Sequence, residues 1–353
     1  MLIYILKRLA LIIPTLFLIM LVNFAVIQTA PGGPVDQAIA NAQNAPGGLT
    51  ASSESQDSEQ TYQGSRGLSE DMIAQIEAKY GFDKPAPERF LIMVGEYLRF
   101  DFGESFFKGK AVTDLLWEKM PVTLFLGLWS TLLIYLVAVP LGVYKALRHG
   151  SRMDQVSSLF LAVGHAIPVL VFGVLLLVLF AGGTYLSIFP LQGMVSEDFE
   201  TLGFFVKIKD YLWHLALPLT ASVVGGFAAL AYLTKFSFME ELGKQYVLSA
   251  KAKGLTNNQV LYGHVFRNAM LIVIAGLPAA FVSIFFTSNL FIEIVFNLDG
   301  LGLLGFEAIQ QRDYPIIFGT LYLFTLVGLL LQLITDLAYH WVDPRINFEE
   351  HGS

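Results

Sequence analysis

The sequence predicts an all-α integral membrane protein with six membrane-crossing helices. Of its 353 residues, 55% are hydrophobic and only 14% are charged, with a mean hydropathy of +0.60, against roughly 25% charged residues in ordinary soluble domains. Six stretches, residues 9–30, 122–144, 156–181, 215–234, 269–292 and 316–335, contain no Asp, Glu, Lys or Arg. Each has the length of the roughly 20-residue helix that crosses about 30 Å of hydrocarbon with every backbone polar group paired.

Lys7 and Arg8 precede the first stretch, as they would in a secretory signal, but the apolar run is too long for one and Pro31 follows directly. Residues 1–30 therefore read as the N-terminus and an uncleaved first helix. Residues 31–121 form a long outer loop in two parts. Residues 37–68 are rich in Gln, Ser, Gly, Asn and Ala with almost no large apolar side chain, the composition of a flexible insertion. Residues 69–119 read as folded. Ser69 opens a capping-box-like SEDM before a short helix to about Tyr80, and MVGEYLRFDFGESF mixes aromatic and charged residues as an interfacial helix does. Residues 122–343 hold the other five spans, and 344–353 form a tail. The outer stretch 196–213 has the same mixed character. Within the spans, Pro140, Gly142, Pro168, Gly225, Gly226, Gly276 and Pro278 allow kinks or close helix approach.

Orientation follows from the basic residues. With the N-terminus inside, the inner segments (the start, 145–155, 235–268 and 336–353) hold 11 Lys plus Arg; the outer ones also hold 11, but 8 of these lie in the long 31–121 loop, leaving 3 in the short loops. Both termini are thus expected in the cytoplasm. Acidic residues number 7 inside and 22 outside, so the net charge of −7 belongs to the outer face, which argues against nucleic acid as a partner.

Little chemistry is available to the chain alone. There is no cysteine, hence no disulfide and no thiolate metal site. GESFFKGKA at 103–111 has the wrong spacing for a phosphate-binding loop, and no HExxH, GxSxG or His/Asp/Glu cluster of metal-ligand spacing occurs. No cofactor or metal is expected in this chain. His165 lies mid-span in AVGHAIPVLVFG. It is either a group on a substrate or proton path or a neutral imidazole bonded to a carbonyl freed by a kink at Pro168. The spans carry no carboxylate for a proton or sodium relay, which weighs against an ion-coupled secondary carrier. A membrane-embedded enzyme or scaffold subunit would show convergent polar groups inside the spans, and only isolated Asn, Gln, Ser and Thr occur there.

One polar, basic interruption stands out, KQYVLSAKAKGLTNNQVLYGHVFRNAM at 244–270. Gln245 to Lys253 is a good helix former, and Gly254 is placed to end it with a left-handed cap. Thr256 opens a second helix with Gln259 at the capping-box position, running through VLYGHVF toward Arg267. The result is a two-helix cytoplasmic element. Its small side chains Ala250 and Ala252 let another protein come close, or else it is a solvated connecting loop.

YVLSAKAKG from Tyr246 to Gly254 and HVFRNA from His264 to Ala269 resemble the cytoplasmic EAA loop of binding-protein-dependent ABC importer permeases, in particular the oligopeptide/dipeptide branch. Further likeness lies in ILKRLALIIPTLFLIMLVNFAVIQTAPGGP, YGFDKPAPERF, FDFGESF, the loop of Arg148, Gly150, Arg152 and Asp154, ALPLTASVVGGFAALAYLTKFSFME, RDYP at 312–315 and VDPR at 342–345. PGGPVDQAIA, the Gln/Ser-rich insertion and GLGLLGFEAI are most similar to the Yej-type group of peptide and microcin C permeases. Gln245 stands where the family usually has Asp or Glu, Leu248 where it has Arg, and Lys251 replaces a second Arg.

The resemblance implies a type I ABC importer permease in a bacterial inner membrane. Its implied partners are a second homologous permease, two cytoplasmic ATP-binding cassette subunits or one fused ATPase that hold the ATP and Mg, a periplasmic solute-binding protein, and membrane lipid. It also implies that the 244–268 loop couples the ATPases to the spans. Tyr246, Ser249, Ala250, Ala252 and Gly254 would then serve contact and shape, and Arg267 and Asn268 would anchor the loop to the fifth span. The topology is open to test. Tags at residues 50 and 195 are expected to react only from the periplasm and tags at 150, 256 and 353 only from the cytoplasm; labelling of 256 from outside overturns the orientation.

Overall fold

The computed structural model describes residues 2–29, 84–182, 185–283 and 289–342. The insertion 37–68, the helix expected from Ser69 to Tyr80, most of VDPR and the tail 344–353 lie outside the described residues. The chain is all-α. Its helices are α1 (Leu2–Thr29), α2 (Ala86–Tyr97), α3 (Val112–Leu147), α4 (Arg152–Ala166), α5 (Val169–Phe180), α6 (Phe204–Leu242), α7 (Gln245–Ala252), α8 (Asn257–Val260), α9 (Phe266–Ala275), α10 (Leu277–Ser283), α11 (Asn289–Val295), α12 (Leu301–Gln311) and α13 (Tyr314–Val342). Among the described residues the sole β feature is an isolated bridge between Glu104 and Ala111.

Tyr4–Val26, Val112–Leu147, Phe204–Leu242, Asn257–Ala280 and Tyr314–Ala338 are long and apolar enough to cross a membrane, and α4 with α5 makes a sixth if the bent pair counts as one span. The expected third span is not straight: α4 and α5 meet at 96°. Pro168 has no N–H and its ring bars the preceding residue from helical geometry, so Ile167 is extended at ψ 121°. The fifth expected span overlaps one continuous candidate, Asn257–Ala280, with a local irregularity at Gly276 across which the bonds from the Gly276 N–H to the Ile272 carbonyl and from the Ala280 N–H to the Gly276 carbonyl persist. Gly276 ends α9 and α10 follows at once.

Other helices outrun their apolar cores. α6 has 39 residues, about 58 Å at 1.5 Å per residue, and absorbs the outer stretch from 204 onward. α2, by contrast, ends at Tyr97 rather than running on through FDFGESF: Phe100 and Gly103 take left-handed φ of 59° and 74°, which turns the chain.

The described residues divide into two compact units. The first takes in those of 1–10, 117–306 and 324–353. In it α6 packs against α4, α5 and α9, with Ile134, Ala138, Leu230, Ala231 and Val273 forming one part of the core. Small residues make the crossing of α3 and α6 close. A Cβ on Gly142 would stand 2.6 Å from the Ala231 carbonyl oxygen and 2.6 Å from Thr234 Cβ, and one on Gly226 would overlap Ile134.

The second unit takes in the described residues of 11–116 and 307–323. Aromatic edges hold it, with Phe17 5.4 Å from Phe90, and Tyr97 4.9 Å from Phe102 and 5.6 Å from Tyr322. Its polar tie is Asp313, which is fully buried and accepts from Ser105 Oγ at 2.5 Å and the Phe106 N–H at 3.3 Å. FDFGESF and RDYP, two of the stretches that carry the family resemblance, therefore meet across 208 residues of sequence.

Gly142→Val is expected to lower the amount of protein in the membrane, because the clash is with backbone and overpacking of this kind costs about 1–3 kcal/mol. Gly95→Ala, where a Cβ meets nothing within 4 Å, serves as the neutral control. Quantitative blotting of membranes checks both, and equal levels would show that the crossing relaxes freely.

Candidate functional site

The polar element at 244–268 is built in order from the end of α6. Gly243 caps that helix, its N–H donating to the Glu240 carbonyl and the Lys244 N–H to the Glu241 carbonyl, both at 3.2 Å, and Lys244 is extended before α7 begins. One face of α7 carries Val247 and Ala250. Both are buried in a cluster with Ala146, Phe238, Val260 and Val265. The other face, at i, i+1 and i+4 spacing, carries Leu248, Ser249 and Ala252, which are exposed, with Leu248 at 66%.

Gly254 ends α7 as its position predicts. Its φ is +88°, its N–H bonds the Lys251 carbonyl at 2.9 Å and the Leu255 N–H bonds the Ala250 carbonyl at 3.3 Å, the paired bonds of a Schellman cap. Thr256 then forms the expected capping box with Gln259. The Thr256 hydroxyl accepts from the Gln259 N–H, and Gln259 Oε1 accepts from the Thr256 N–H at 2.9 Å. The second helix differs from expectation in one respect. Leu261–Val265 is a π turn between α8 and α9, a local widening often found at working parts of proteins, and it leaves Tyr262 67% exposed.

A buried carboxylate that the sequence did not single out locks the element to α6. Glu241 accepts from the Tyr246 hydroxyl at 2.7 Å, pairs with Lys244 and is hydrogen-bonded by the Asn268 side chain. Asn268, in the first turn of α9, thus links the start of that helix to the end of α6. Arg267 is exposed beside it. The hydrogen bond to Glu241 holds the Lys244 ammonium above its ordinary pKa, and burial, together with Glu241, pushes the Tyr246 phenol up. Both groups keep their protons at neutral pH.

The outcome for the residues singled out from sequence is mixed. Tyr246, Ala250, Gly254 and Asn268 shape and fasten the element from within, and Ala250 faces the chain's own core rather than an outside surface. Ser249, Ala252 and Arg267 are exposed. His165 stands apart, exposed on α4, with Nδ1 3.1 Å from the carbonyl oxygen of Gly225. That carbonyl belongs to α6, not to the kink at Pro168. Among the described residues no group of His, Asp or Glu is arranged to hold a metal ion.

Residues 138–348 match the family described as the binding-protein-dependent transport system inner membrane component, and the chain belongs to that family. It is 54% identical to the inner membrane ABC transporter permease protein YejB of Escherichia coli O157:H7, over 98% of this chain and 99% of that protein. It is 50% identical to the peptidoglycan transport system permease protein YejB of Agrobacterium fabrum, over 98% of each, and 29% identical to the dipeptide transport system permease protein DppB of Escherichia coli K12, over 99% of this chain and 100% of that one. Among solved structures, an inward-facing MetNI methionine ABC transporter superposes with a TM-score of 0.51 at 15% identity, over 65% of this chain and 97% of that one, a likeness of fold. The chain is a multi-pass inner membrane protein.

Gly254→Val is expected to loosen the turn between α7 and α8. A Cβ there meets nothing within 4 Å, so the cost is conformational, roughly 1–2 kcal/mol for a left-handed L-residue and more when Cβ is branched. Proteolysis of membrane vesicles should cut within 253–262 faster in Gly254→Val than in Gly254→Asn, since Asn tolerates this conformation. Equal rates would show that the cap does not hold the turn.

Proposed function

We propose that this chain is the membrane-spanning permease subunit of an ATP-driven, binding-protein-dependent importer for peptides or peptide-like compounds, the class named for several of its relatives; the resemblance to the Yej-type group extends that class to microcin C. The observation that carries the reading is the two-sided element at 244–268. One side is locked into the chain by Phe238, Val247 and the Glu241 ties, and the other exposes Leu248, Ser249 and Ala252.

Such an element transmits force if a partner seats on its exposed side. The partner on this reading is a cytoplasmic ATPase, which binds ATP and Mg, so this chain needs neither a phosphate-binding loop nor a cofactor of its own. ATP-driven closure of two ATPase subunits, or of one fused pair, displaces α7, and α6 and α9 carry the displacement into the bundle. A second permease completes the path, a periplasmic binding protein delivers the cargo, and lipid surrounds the spans. Residues 1–30, 31–121 and 122–343 act as first helix, outer loop and permease core, with both termini in the cytoplasm. The chain itself catalyses no reaction.

Reconstitution with the partner subunits tests this. Peptide uptake is expected only with ATP inside the ATPase compartment and unchanged when ion gradients are collapsed. Uptake driven by an ion gradient without ATP would make the chain a secondary carrier. Ala252→Glu places a charge on the exposed side of α7. Losing one well-packed anchor of an interface costs about 2 kcal/mol or more, roughly thirtyfold in affinity, so ATPase subunits should co-purify poorly while the permease level stays normal. Undiminished co-purification would mean that the element is a solvated loop.

A further inference from the structure

Behind the two-helix element lies a group of buried charges with no part in docking. Lys145 near the end of α3, Asp154 in the first turn of α4 and Lys235 on α6 are 0%, 4% and 6% exposed. Lys235 Nζ donates to both Asp154 carboxylate oxygens at 2.8 Å. Lys145 Nζ stands 3.0 Å from Asp154 Oδ1 and donates to the Asp154 carbonyl, Ser157 Oγ and Ser158 Oγ at 2.8, 2.8 and 2.7 Å. The Gly150 N–H donates to Asp154 Oδ2 at 3.1 Å, and exposed His149 lies 3.4 Å from the same oxygen.

Two ammonium groups share one carboxylate, so charge balance requires only one lysine. Lys145 and Asp154 are nine residues apart, and with the Gly150 N–H and the Ser151 cap they close the α3–α4 turn by themselves. Lys235 reaches the same carboxylate from 81 residues away. It sits one i, i+3 step before Phe238, which plugs the core under α7, and a second such step leads to Glu241, which fastens α7 to α6. Lys235, Phe238 and Glu241 thus run along one side of α6 from the α3–α4 turn to the coupling element. Apolar contacts are non-directional and let helices slide, whereas two hydrogen bonds to a buried carboxylate fix one register.

We propose that Lys235 is a positioning residue for coupling, pinning α6 to the α3–α4 turn so that movement of α7 is passed to all three helices together. This rests on the function proposed above, but its mechanical content does not depend on transport.

Lys235→Met is the test, because it keeps an unbranched stem and leaves Lys145 and Asp154 as a balanced pair. In reconstituted complex the Met variant should assemble at the wild-type level, yet the peptide carried per ATP hydrolysed should fall about tenfold, within the roughly 5–150-fold range of coupling between sites. Lys235→Arg, which keeps a bidentate donor, should restore it. An unchanged ratio in the Met variant overturns the proposal, and so does failure of that variant to assemble, since the contact would then be a requirement of folding. A second measurement needs no transport. The chain has no cysteine, so Met153→Cys and Ser249→Cys can carry spin labels on the α3–α4 side and on α7. The distance distribution between them should be narrow with Lys235 and broaden with Met, and identical distributions overturn the pin. A narrow distribution in the labelled Lys235 chain, together with no ATP-dependent uptake by the unlabelled wild-type complex, would sink the proposed function and leave the pin standing.

Discussion

A carboxylate taken out of water must be given donors, and this chain places its buried carboxylates where helices change direction. Among the described residues Asp154, Glu241, Glu293 and Asp313 are the acidic side chains that reach burial. Asp154 ties the α3–α4 turn. Glu241 ties the α6–α7 turn. Glu293 accepts from Thr123 Oγ1 at 2.6 Å and from the Leu303 N–H at 3.0 Å, so it caps the first turn of α12, and Gly300 and Gly302 are glycine because a Cβ at either would run into that carboxylate. Asp313 precedes α13 and holds the loop of Ser105. The bonds that Asp154 and Glu241 accept from lysines are charge-assisted, about twice the strength of neutral ones. Removing one partner from a buried pair costs about 3–5 kcal/mol, because the other charge is left alone.

The apolar spans need no such ties. In hydrocarbon a helix satisfies its own backbone, and side-chain packing against lipid is nearly as good as packing against protein. The helices are therefore free to be long, as α3 and α6 are, and specific contacts fall to small residues such as Gly142 and Gly226 inside and to charged knots at the ends. Specificity resides at the turns, where the sequence changes from greasy to mixed.

This division explains what the sequence revealed. The spans were legible because they depend on composition alone, and the caps at Gly254 and Thr256 because they depend on neighbours within a few residues. The 96° break was half legible, since Pro168 announces a kink but not its angle. What escaped was long-range. Lys235 and Asp154 are 81 residues apart and Thr123 and Glu293 170, and each of those side chains looks, on its own, like an ordinary residue at the edge of a span. The facing of Ala250 was hidden for another reason. In the eight-residue helix QYVLSAKA, Ala250 and Ala252 look alike, and only the core around Phe238 decides which is covered.

The same ties fasten both ends of the 244–268 element. Only Gly243 and Lys244 separate α6 from α7, and Lys244 is itself paired with Glu241. Asn268, at the start of α9, bonds the same carboxylate. The element therefore leaves the bundle and returns to it at one point, closing a short loop around Glu241. A push on the exposed face of α7 has little slack to take up in the connections. On the proposed function such a push would be passed to α6 and α9 together, and the π turn at Leu261–Val265 is where the helical ladder between α8 and α9 is widened.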